Sequence, residues 1–219
     1  MNPDRRILIM TAVAAEKDAV LRGLKGDPRF DVFEAGVGPF EAGVRTATVL
    51  ASADADRYSL VISAGIAGGF VDRAEIGSIV ISSEIIAADL GAETSDGFRS
   101  VDELGFGSAY IEVNTTLASR LMEALQHANL PVALGPVLTL STVTGTAETA
   151  EQLAQRIPGA AAEAMEGFGV AAAARYHQLP VLEIRTISNQ VGPRDRDAWR
   201  IKEALQALEA ASSVLLEVI

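Results

Sequence analysis

The chain contains no cysteine and only two histidines, His127 and His177, among its 219 residues. Without cysteine it can form no disulfide, no thiolate metal site and no cysteine nucleophile. Two histidines also argue against a site in which several imidazoles hold a metal. We therefore expect a function that depends on neither sulfur chemistry nor a metal centre.

Positive charge is scarce as well, because 18 Lys and Arg residues stand against 29 Asp and Glu residues, for a net charge of −11. Nucleic acids and anionic membrane surfaces are bound through surplus cationic charge, which this chain lacks. Charged residues or glycines also interrupt each apolar run before the ~20 residues that a membrane span needs. We expect a compact cytoplasmic protein with no nucleic acid and no membrane as partner.

What the sequence does contain is 49% hydrophobic residues, enough for a core, in short apolar runs that alternate with helical stretches. This alternation predicts an α/β fold: one domain over residues 1–219, a three-layer sandwich with a twisted, mostly parallel or mixed central sheet. The predicted strands are Arg6–Thr11, Phe30–Ala35, Leu60–Ala64, Ser78–Ala87, Val132–Leu140 and Val181–Ser188. The predicted helices are Glu16–Leu24, Phe40–Ala53, Thr115–Ala128, Ala147–Arg156, Gly167–His177 and Ala198–Leu216.

Two segments are harder to interpret. Arg5-Arg6 and the apolar run Ile7–Ala15 resemble a short signal peptide, but later strands repeat the same apolar pattern, which favours a buried first strand. The region Asp89–Glu112 shows no clear periodicity. We interpret it as a long ordered loop, which in a compact domain is more often functional or interfacial than idle.

Two glycine-rich segments follow predicted strands. Gly36-Val37-Gly38 suggests a dinucleotide-binding turn, but Glu41 stands where that fingerprint needs a third glycine. The segment Gly65–Gly69 lacks the Lys-Ser/Thr pair of a phosphate-binding loop. It reads either as a tight turn or as a loop whose backbone a ligand can approach closely. Neither segment alone identifies a function.

Several strand ends taken together resemble one family. In chain order they are Glu16, Ala-Gly-Ile-Ala-Gly-Gly at 64–69, Ala-Met-Glu-Gly-Phe-Gly at 164–169 and Arg-Thr-Ile-Ser-Asn at 185–189. This ordered set is similar to the nucleoside phosphorylase and nucleosidase superfamily. It resembles most the branch of methylthioadenosine/S-adenosylhomocysteine nucleosidases and futalosine hydrolases. The continuation through residues 191–196 and Trp199 is most similar to the futalosine hydrolases.

The resemblance implies cleavage of an N-glycosidic bond through an oxocarbenium-like sugar, with no metal and no cofactor. Glu16 would activate the attacking water, Glu166 would hold the ribose hydroxyls with Met165 beneath the sugar, and Arg185 would lie beside them. The residues alone allow plainer roles. Glu16 and Glu166 could be first-turn glutamates favoured by a helix dipole, and Arg185 a buried cation that needs a carboxylate partner.

Asn189 departs from the adenine-specific nucleosidases, in which the resemblance places an aspartic acid that protonates the leaving base. An amide cannot donate that proton, yet it can pair with the edge of a 6-oxopurine, which indicates hypoxanthine or guanine as the leaving group. An asparagine that turns the chain after a strand is the plainer alternative. Ile66 departs too, since many relatives have a serine there that contacts the water.

Trp199 aligns with an aromatic residue that lines the pocket for the 5′ substituent in relatives. Futalosine ends in an aromatic carboxylate on that side, so Trp199 would stack on it while Arg194 or Arg196 pairs with the carboxylate. Surface ion pairs are an equal alternative for the two arginines. The predicted substrate-binding set also contains Val143, Gly65 and Ile66.

The resemblance therefore implies a homodimer that hydrolyses a purine nucleoside, futalosine, in menaquinone biosynthesis. An adenine nucleosidase or a purine nucleoside phosphorylase is the alternative within the same class. The phosphorylase is disfavoured because Glu16 would stand where phosphate must bind, and like charges in contact are costly. A nucleoside-binding module without turnover is the alternative from another class, but pure binding needs no water-activating base.

Overall fold

The structure is a computed structural model that describes residues 5–53 and 57–219, and it confirms the predicted α/β class. The strands are β1 (Arg6–Thr11), β2 (Phe30–Glu34), β3 (Tyr58–Gly69), β4 (Ile79–Ala87), β5 (Gly91–Thr94), β6 (Gly97–Ser100), β7 (Tyr110–Glu112), β8 (Val132–Thr139), β9 (Ala162–Ala164) and β10 (Val181–Gln190). The helices are α1 (Ala14–Leu24), α2 (Pro39–Ser52), α3 (Val101–Leu104), α4 (Thr115–His127), α5 (Ala147–Arg156), α6 (Gly167–Tyr176) and α7 (Ile201–Val218). The prediction of one domain also covers residues 1–4 and 54–56, which lie outside the described residues, and it stays a prediction.

The main sheet is mixed and closes on itself at one end. β1 lies between β2 and β3 in parallel, and β3 pairs in parallel with β10. β10 then pairs antiparallel with β4, β4 parallel with β8, and β8 parallel with β9. β9 returns antiparallel to the last residues of β3. The strands β3, β10, β4, β8 and β9 therefore form a closed ring, from which β1 and β2 extend as an open sheet.

Helices pack on this sheet in two groups. α2 packs against α6, whereas α1 packs against α7, which also contacts α4. The apolar run that begins the chain is the strand that its pattern favours, since Leu8 and Ile9 of β1 are fully buried in the main core. No helix in the described ranges is both long and apolar enough to cross a membrane.

Three expectations about local structure are wrong. Gly65–Gly69 is not a turn or loop but the end of β3, because these residues pair with Arg185–Gln190 of β10. The region Asp89–Glu112 is not one loop, since it holds the β5–β6 hairpin, α3 and β7. Local signals explain this: a turn precedes Gly97, whose φ is +109°, and Ser100 and Glu103 cap α3 reciprocally. The last helix begins at Ile201, not Ala198, after a 3₁₀ turn at Arg196–Ala198.

Candidate active site

A cavity of about 300 Å³ opens where β1, β3, β9 and β10 end. Most of the predicted site residues line it, namely Glu16, Ile66, Val143, Met165, Glu166, Asn189 and Trp199. Gly65 and Arg185 lie beside Glu16, because a Cβ on Gly65 would be 2.6 Å from Glu16 Oε1 and 2.8 Å from Arg185 Nη1. Arg194 and Arg196 are exposed in the segment that follows β10. Residues from distant parts of the chain thus meet at one edge of the ring.

Glu16 is held at the start of α1 by backbone donors from two strand ends. Its Oε2 accepts hydrogen bonds from the N–H groups of Ala12 at 2.8 Å and Val13 at 3.2 Å. Its Oε1 accepts one from the N–H of Ile66 at 2.8 Å. The side chain is 3% exposed, so both oxygens are fixed at the wall of the cavity.

The electrostatic surroundings of Glu16 suit a proton acceptor. Burial raises its pKa above the ordinary value for a glutamate, and the nearby Glu166 acts in the same direction. Arg185 and the backbone N–H groups of Ile66 and Ala12 oppose that rise only in part. A carboxylate with a raised pKa is a stronger base, which is what the activation of a water molecule requires.

Arg185 lies at the centre of a buried cluster and is 1% exposed. Its Nε donates to Glu183 Oε1 at 2.7 Å, and its Nη2 donates to the Ser63 hydroxyl at 3.1 Å. Its Nη1 lies 3.3 Å from Glu166 Oε2. Burial lowers the pKa of Arg185, but the carboxylates of Glu183, Glu166 and Glu16 raise it above the ordinary value. The guanidinium is therefore a permanent cation surrounded by acidic groups.

Glu183 is a member of this cluster that the sequence reasoning missed. It is fully buried, and its Oε2 has no hydrogen-bond partner among the described residues. A Cβ on Gly167 would lie 2.2 Å from its carboxylate, so the glycine that begins α6 makes room for it. Burial raises the pKa of Glu183, and Arg185 opposes that rise. A signal was present, because a Glu-x-Arg spacing places both side chains on one face of a strand.

Glu166 and Met165 follow β9 and reach the cavity together. Glu166 Oε1 accepts a hydrogen bond from the Gly38 N–H at 3.2 Å. Gly38 has a φ of +91°, a conformation that glycine adopts readily. The turn at Gly36–Gly38 thus directs a backbone donor towards Glu166. With Arg185 on its other oxygen, Glu166 is held with its carboxylate at the cavity wall.

Asn189 lines the cavity from near the end of β10. Its Oδ1 accepts a hydrogen bond from the Ser188 hydroxyl at 2.8 Å, and its Nδ2 donates to the Gln190 carbonyl at 2.9 Å. Its neighbour on β3 is Gly68, and a Cβ there would lie 3.3 Å from Asn189 Nδ2. An amide nitrogen carries two N–H donors, so one remains for a ligand.

Glu163 is a second buried carboxylate that the sequence reasoning missed. It lines the cavity from β9, and its Oε1 and Oε2 accept hydrogen bonds from the N–H and the hydroxyl of Thr144 at 2.8 and 2.5 Å. Burial raises the pKa of Glu163, while the two bonds from Thr144 act in the opposite direction. Both residues contribute to the wall next to Val143.

The segment that follows β10 closes one side of the cavity with Trp199. The Arg194 guanidinium carbon lies 5.3 Å from the centre of the Trp199 ring, within the range of a cation–π contact. Arg196 lies in the 3₁₀ turn and, like Arg194, is not among the described residues that line the cavity. A larger cavity of about 540 Å³ adjoins the first and shares Asn189, Val191 and Trp199 with it.

The groups around Glu16 suit a reaction with water at a sugar, whereas those around Asn189 suit the binding of a ring. Glu16 can accept a proton from water while the acidic cluster stabilises positive charge that develops on a sugar. Asn189 and Glu163 offer hydrogen bonds to a flat polar ring. The described residues contain no group of three or more His, Cys, Asp or Glu side chains that could hold a metal ion.

Comparisons with known proteins place the chain in a family. A profile of the Phosphorylase superfamily matches residues 13–219. The chain is 48% identical to the futalosine hydrolase of Streptomyces coelicolor, over 97% of this chain and 96% of that protein. It is 43% identical to the futalosine hydrolase of Acidothermus cellulolyticus, over 95% of this chain and 89% of that protein.

A solved structure of futalosine hydrolase from Helicobacter pylori has a similar fold. The TM-score is 0.82, with 99% of this chain and 100% of that chain covered. Sequence identity is 18%, so this likeness concerns the fold alone.

Proposed function

Because this chain belongs to the Phosphorylase superfamily, we propose that it is a futalosine hydrolase, which uses water to cleave the N-glycosidic bond of futalosine and releases hypoxanthine. The observation that carries the proposal is that one cavity is lined by a buried base, Glu16, held by the Ile66 N–H, and by an amide, Asn189, opposite Gly68 further along β3. The names of the relatives at 48% and 43% identity support it.

In the proposed reaction Glu16 accepts a proton from the attacking water. The water oxygen forms a bond to C1′ of the ribose as the bond from C1′ to the purine nitrogen breaks, and the electron pair of that bond leaves with the purine. General-base help of this kind is typically worth ~10²–10⁴ in rate. The position of Glu16 supports this role, since its oxygens are fixed at the cavity wall.

Glu166 is proposed to bind the two ribose hydroxyls, with Met165 against the sugar. A carboxylate has acceptor capacity beyond its bonds to Gly38 and Arg185, so it can accept a hydrogen bond from each of the two hydroxyls. Arg185 would hold Glu166 rather than the substrate, because it lies behind the cavity wall.

Asn189 is proposed to bind the edge of hypoxanthine. Its free N–H can donate to O6 or N7 of a 6-oxopurine, where an ionised carboxylate would repel both atoms. Since an amide cannot supply a proton, the purine leaves with its charge stabilised by this hydrogen bond and takes a proton from water.

Hydrolysis is favoured over phosphorolysis by the position of Glu16. A phosphate near the sugar would meet the carboxylates of both Glu16 and Glu166, and like charges at contact distance are costly. Water carries no charge and avoids this cost.

The proposal is tested with purified protein and three nucleosides: futalosine, methylthioadenosine and inosine, each with and without phosphate. We expect release of hypoxanthine and free sugar from futalosine at a rate that phosphate does not change. Phosphate-dependent formation of a ribose 1-phosphate would refute hydrolysis, and preference for methylthioadenosine would indicate an adenine nucleosidase. Binding of futalosine without turnover would instead indicate a nucleoside-binding module that is not an enzyme.

A homodimer and a cytoplasmic role in menaquinone biosynthesis complete the proposal. Phe40 and Val44, one turn apart on α2, are 80% and 65% exposed, and exposed apolar residues of this kind support an interface. Sedimentation analysis of the wild-type protein should give a dimer, and the double substitution of Phe40→Ser and Val44→Ser should give a monomer.

A further inference from the structure

We propose that Glu183 is a positioning residue for the reaction and acts through Arg185, whose positive charge it neutralises from outside the cavity. The carboxylates of Glu16 and Glu166, which line the cavity, then keep their negative charge for the substrate. This proposal rests on the proposed function, because it concerns the same buried cluster and the same reaction.

The guanidinium of Arg185 meets its acidic partners with different nitrogens. Its Nε donates to Glu183 Oε1 at 2.7 Å, whereas its Nη1 lies 3.3 Å from Glu166 Oε2. Nη1 also faces Glu16, since a Cβ on Gly65 would lie 2.8 Å from Nη1 and 2.6 Å from Glu16 Oε1. Glu183 is not among the described residues that line the cavity. Arg185 therefore binds Glu183 with one nitrogen and faces the two cavity-lining carboxylates with another.

The surroundings of Glu183 are built to hold a carboxylate in this position. The distance of 2.7 Å to Arg185 Nε is in the range of a hydrogen bond between charged groups. A Cβ on Gly167 would lie 2.2 and 2.3 Å from the two oxygens of Glu183, so only glycine leaves this room. Within the described ranges Oε2 of Glu183 has no hydrogen-bond partner. A fully buried carboxylate with such an oxygen is a costly way to stabilise a fold, which favours a role for its charge in the site.

The charge balance of the cluster explains what Glu183 contributes. The charged groups that act on Arg185 are the carboxylates of Glu183 on β10, Glu166 after β9 and Glu16 on α1. Without Glu183, the cation would act on Glu16 and Glu166 alone, and the pKa of Glu16 would fall because a nearby cation stabilises the ionised form. A carboxylate with a lower pKa is a weaker base towards water. Glu183 thus keeps Glu16 basic without contacting the substrate.

The plainer alternative is that Glu183 only stabilises the fold. In that case its replacement would lower the free energy of unfolding but leave the ionisation of Glu16 as it is. The acid limb of the pH profile of kcat/KM reports the ionisation of the base in the free enzyme, so it separates the two roles.

Glu183→Gln removes the negative charge but keeps the shape of the side chain and an acceptor for Arg185 Nε. With futalosine as substrate, we expect the apparent pKa of the acid limb to fall by about half a pH unit or more. We expect kcat at neutral pH to fall about three- to tenfold, because the base is weaker and the cluster less negative.

Ser63→Ala is the matched control, because it removes a neutral hydrogen-bond partner of the same guanidinium and changes no charge. Its acid limb should stay within about 0.2 pH units of wild type. An acid limb in Glu183→Gln that is unchanged or moves to higher pH would overturn the proposal. An equal shift in both variants would overturn it too.

Neutron diffraction from crystals of the wild-type protein at neutral pH keeps the proposal testable if the variant fails to fold. We expect Arg185 to carry all its deuterium atoms and Glu183 to carry none. Deuterium on either oxygen of Glu183 would overturn its role as the counter-ion, even in a protein that hydrolyses futalosine. An inactive protein with an ionised Glu183 would instead contradict the proposed hydrolysis and leave the ion pair standing.

Discussion

The two ends of the cavity hold their acidic groups in different ways. At the end that we propose binds the sugar (the sugar end), Glu166 and Glu183 form ion pairs with Arg185, and Glu16 adds a third carboxylate to the same buried cluster. Three carboxylates outnumber one guanidinium, so the cluster can stabilise a sugar that becomes cationic. Burial opposes the ionisation of Glu16 and Glu183 and raises the pKa of each.

At the base end the groups are held by hydrogen bonds. Glu163 takes both of its donors from Thr144, and Asn189 is held by Ser188 and Gln190. Such groups distinguish one ring from another without large forces on the reaction centre. We therefore expect the reaction rate and the stability to depend on the sugar end of the cavity, and the choice of base to depend on the other end.

Glu16→Gln should give the largest effect. We expect kcat to fall by about 10²–10⁴, because the amide keeps the shape of the side chain but cannot accept the water's proton. Glu148→Gln is the matched control, since Glu148 also lies in the first turn of a helix but is exposed. Steady-state assays with futalosine measure both. An equal loss of kcat in the two variants would indicate that Glu16, like Glu148, is only a glutamate at the start of a helix and not a catalytic residue.

Arg185→Met should have the largest effect on folding. Removal of one partner from a buried ion pair typically costs about 3–5 kcal/mol, because the other charges stay buried without compensation. Urea denaturation should show this loss in the free energy of unfolding, whereas Arg194→Met, at an exposed position, should change it by less than about 0.5 kcal/mol. A small loss in Arg185→Met would mean that the cluster is not the centre of stability at this end.

Asn189→Asp tests the base end directly. We expect the ratio of kcat/KM for inosine and adenosine to fall about ten- to a hundredfold, because an ionised carboxylate repels O6 of hypoxanthine but accepts a hydrogen bond from the 6-amino group of adenine. The free energy of unfolding should fall by no more than about 1 kcal/mol, because the exposed bond from Nδ2 to the Gln190 carbonyl is lost while the Ser188 hydroxyl can still donate to the new side chain. A large loss of stability with an unchanged ratio would contradict the separation of the two ends.

The raised pKa of Glu16 predicts how activity and stability depend on pH. The apparent pKa of the acid limb of kcat/KM should lie above the ordinary pKa of glutamate. At pH values below that apparent pKa, kcat/KM should fall about tenfold per pH unit. For stability, the folded pKa lies above the unfolded one, so the contribution of Glu16 is fully present below the unfolded value and is lost as pH rises through the folded value. The stability of the wild type should therefore rise as pH falls from neutral through the folded pKa of Glu16. Glu16→Gln should lack this component, whatever its absolute stability, as pH-dependent unfolding curves would show; an identical pH dependence in the two proteins would contradict this sign.

Substitutions in the segment that carries Trp199 should give the smallest effects on catalysis, and Trp199→Ala the largest of these. Loss of an aromatic contact worth about 0.5–1.5 kcal/mol corresponds to a rise in KM for futalosine of roughly two- to tenfold. Arg194→Ala should give a smaller rise, because its guanidinium stacks on Trp199. Arg196→Ala serves as the control, since Arg196 lies in the exposed 3₁₀ turn. Unchanged rates at low substrate in both Trp199→Ala and Arg194→Ala would refute a role for this segment in binding the 5′ substituent.

Most of the framework could be predicted from the sequence, because buried parallel strands are short apolar runs and their ends carry the polar groups. Thr11 ends β1 as predicted, and Glu16 follows it at the cavity. The extent of β3 could not be predicted, since Gly65–Gly69 belongs to a strand only through its partners on β10 and β9. Single glycines in such a run carry a turn signal that tertiary pairing overrides.

The buried carboxylates show a second limit of sequence reasoning. Glu163 depends on Thr144, 19 residues earlier in the chain, so no local pattern links them. Glu183 could have been predicted, because its spacing from Arg185 matches the period of a strand. A charged residue inside an apolar strand, such as Arg185, needs a partner of opposite charge. Glu183 is the nearest acidic residue along the chain, and it is one of the partners of Arg185.

The closed ring of β3, β10, β4, β8 and β9 also constrains the order in which the protein can acquire activity. Gly68 and Gly69 pair with β10 on one side and β9 on the other, and the ring joins segments between residues 58 and 190. Contacts of such long sequence separation form late, because loop closure must precede them. During refolding, helix content should return before hydrolysis does. The amides of this part of β3 should exchange with solvent only when the whole domain opens, so hydrogen exchange there reports global stability.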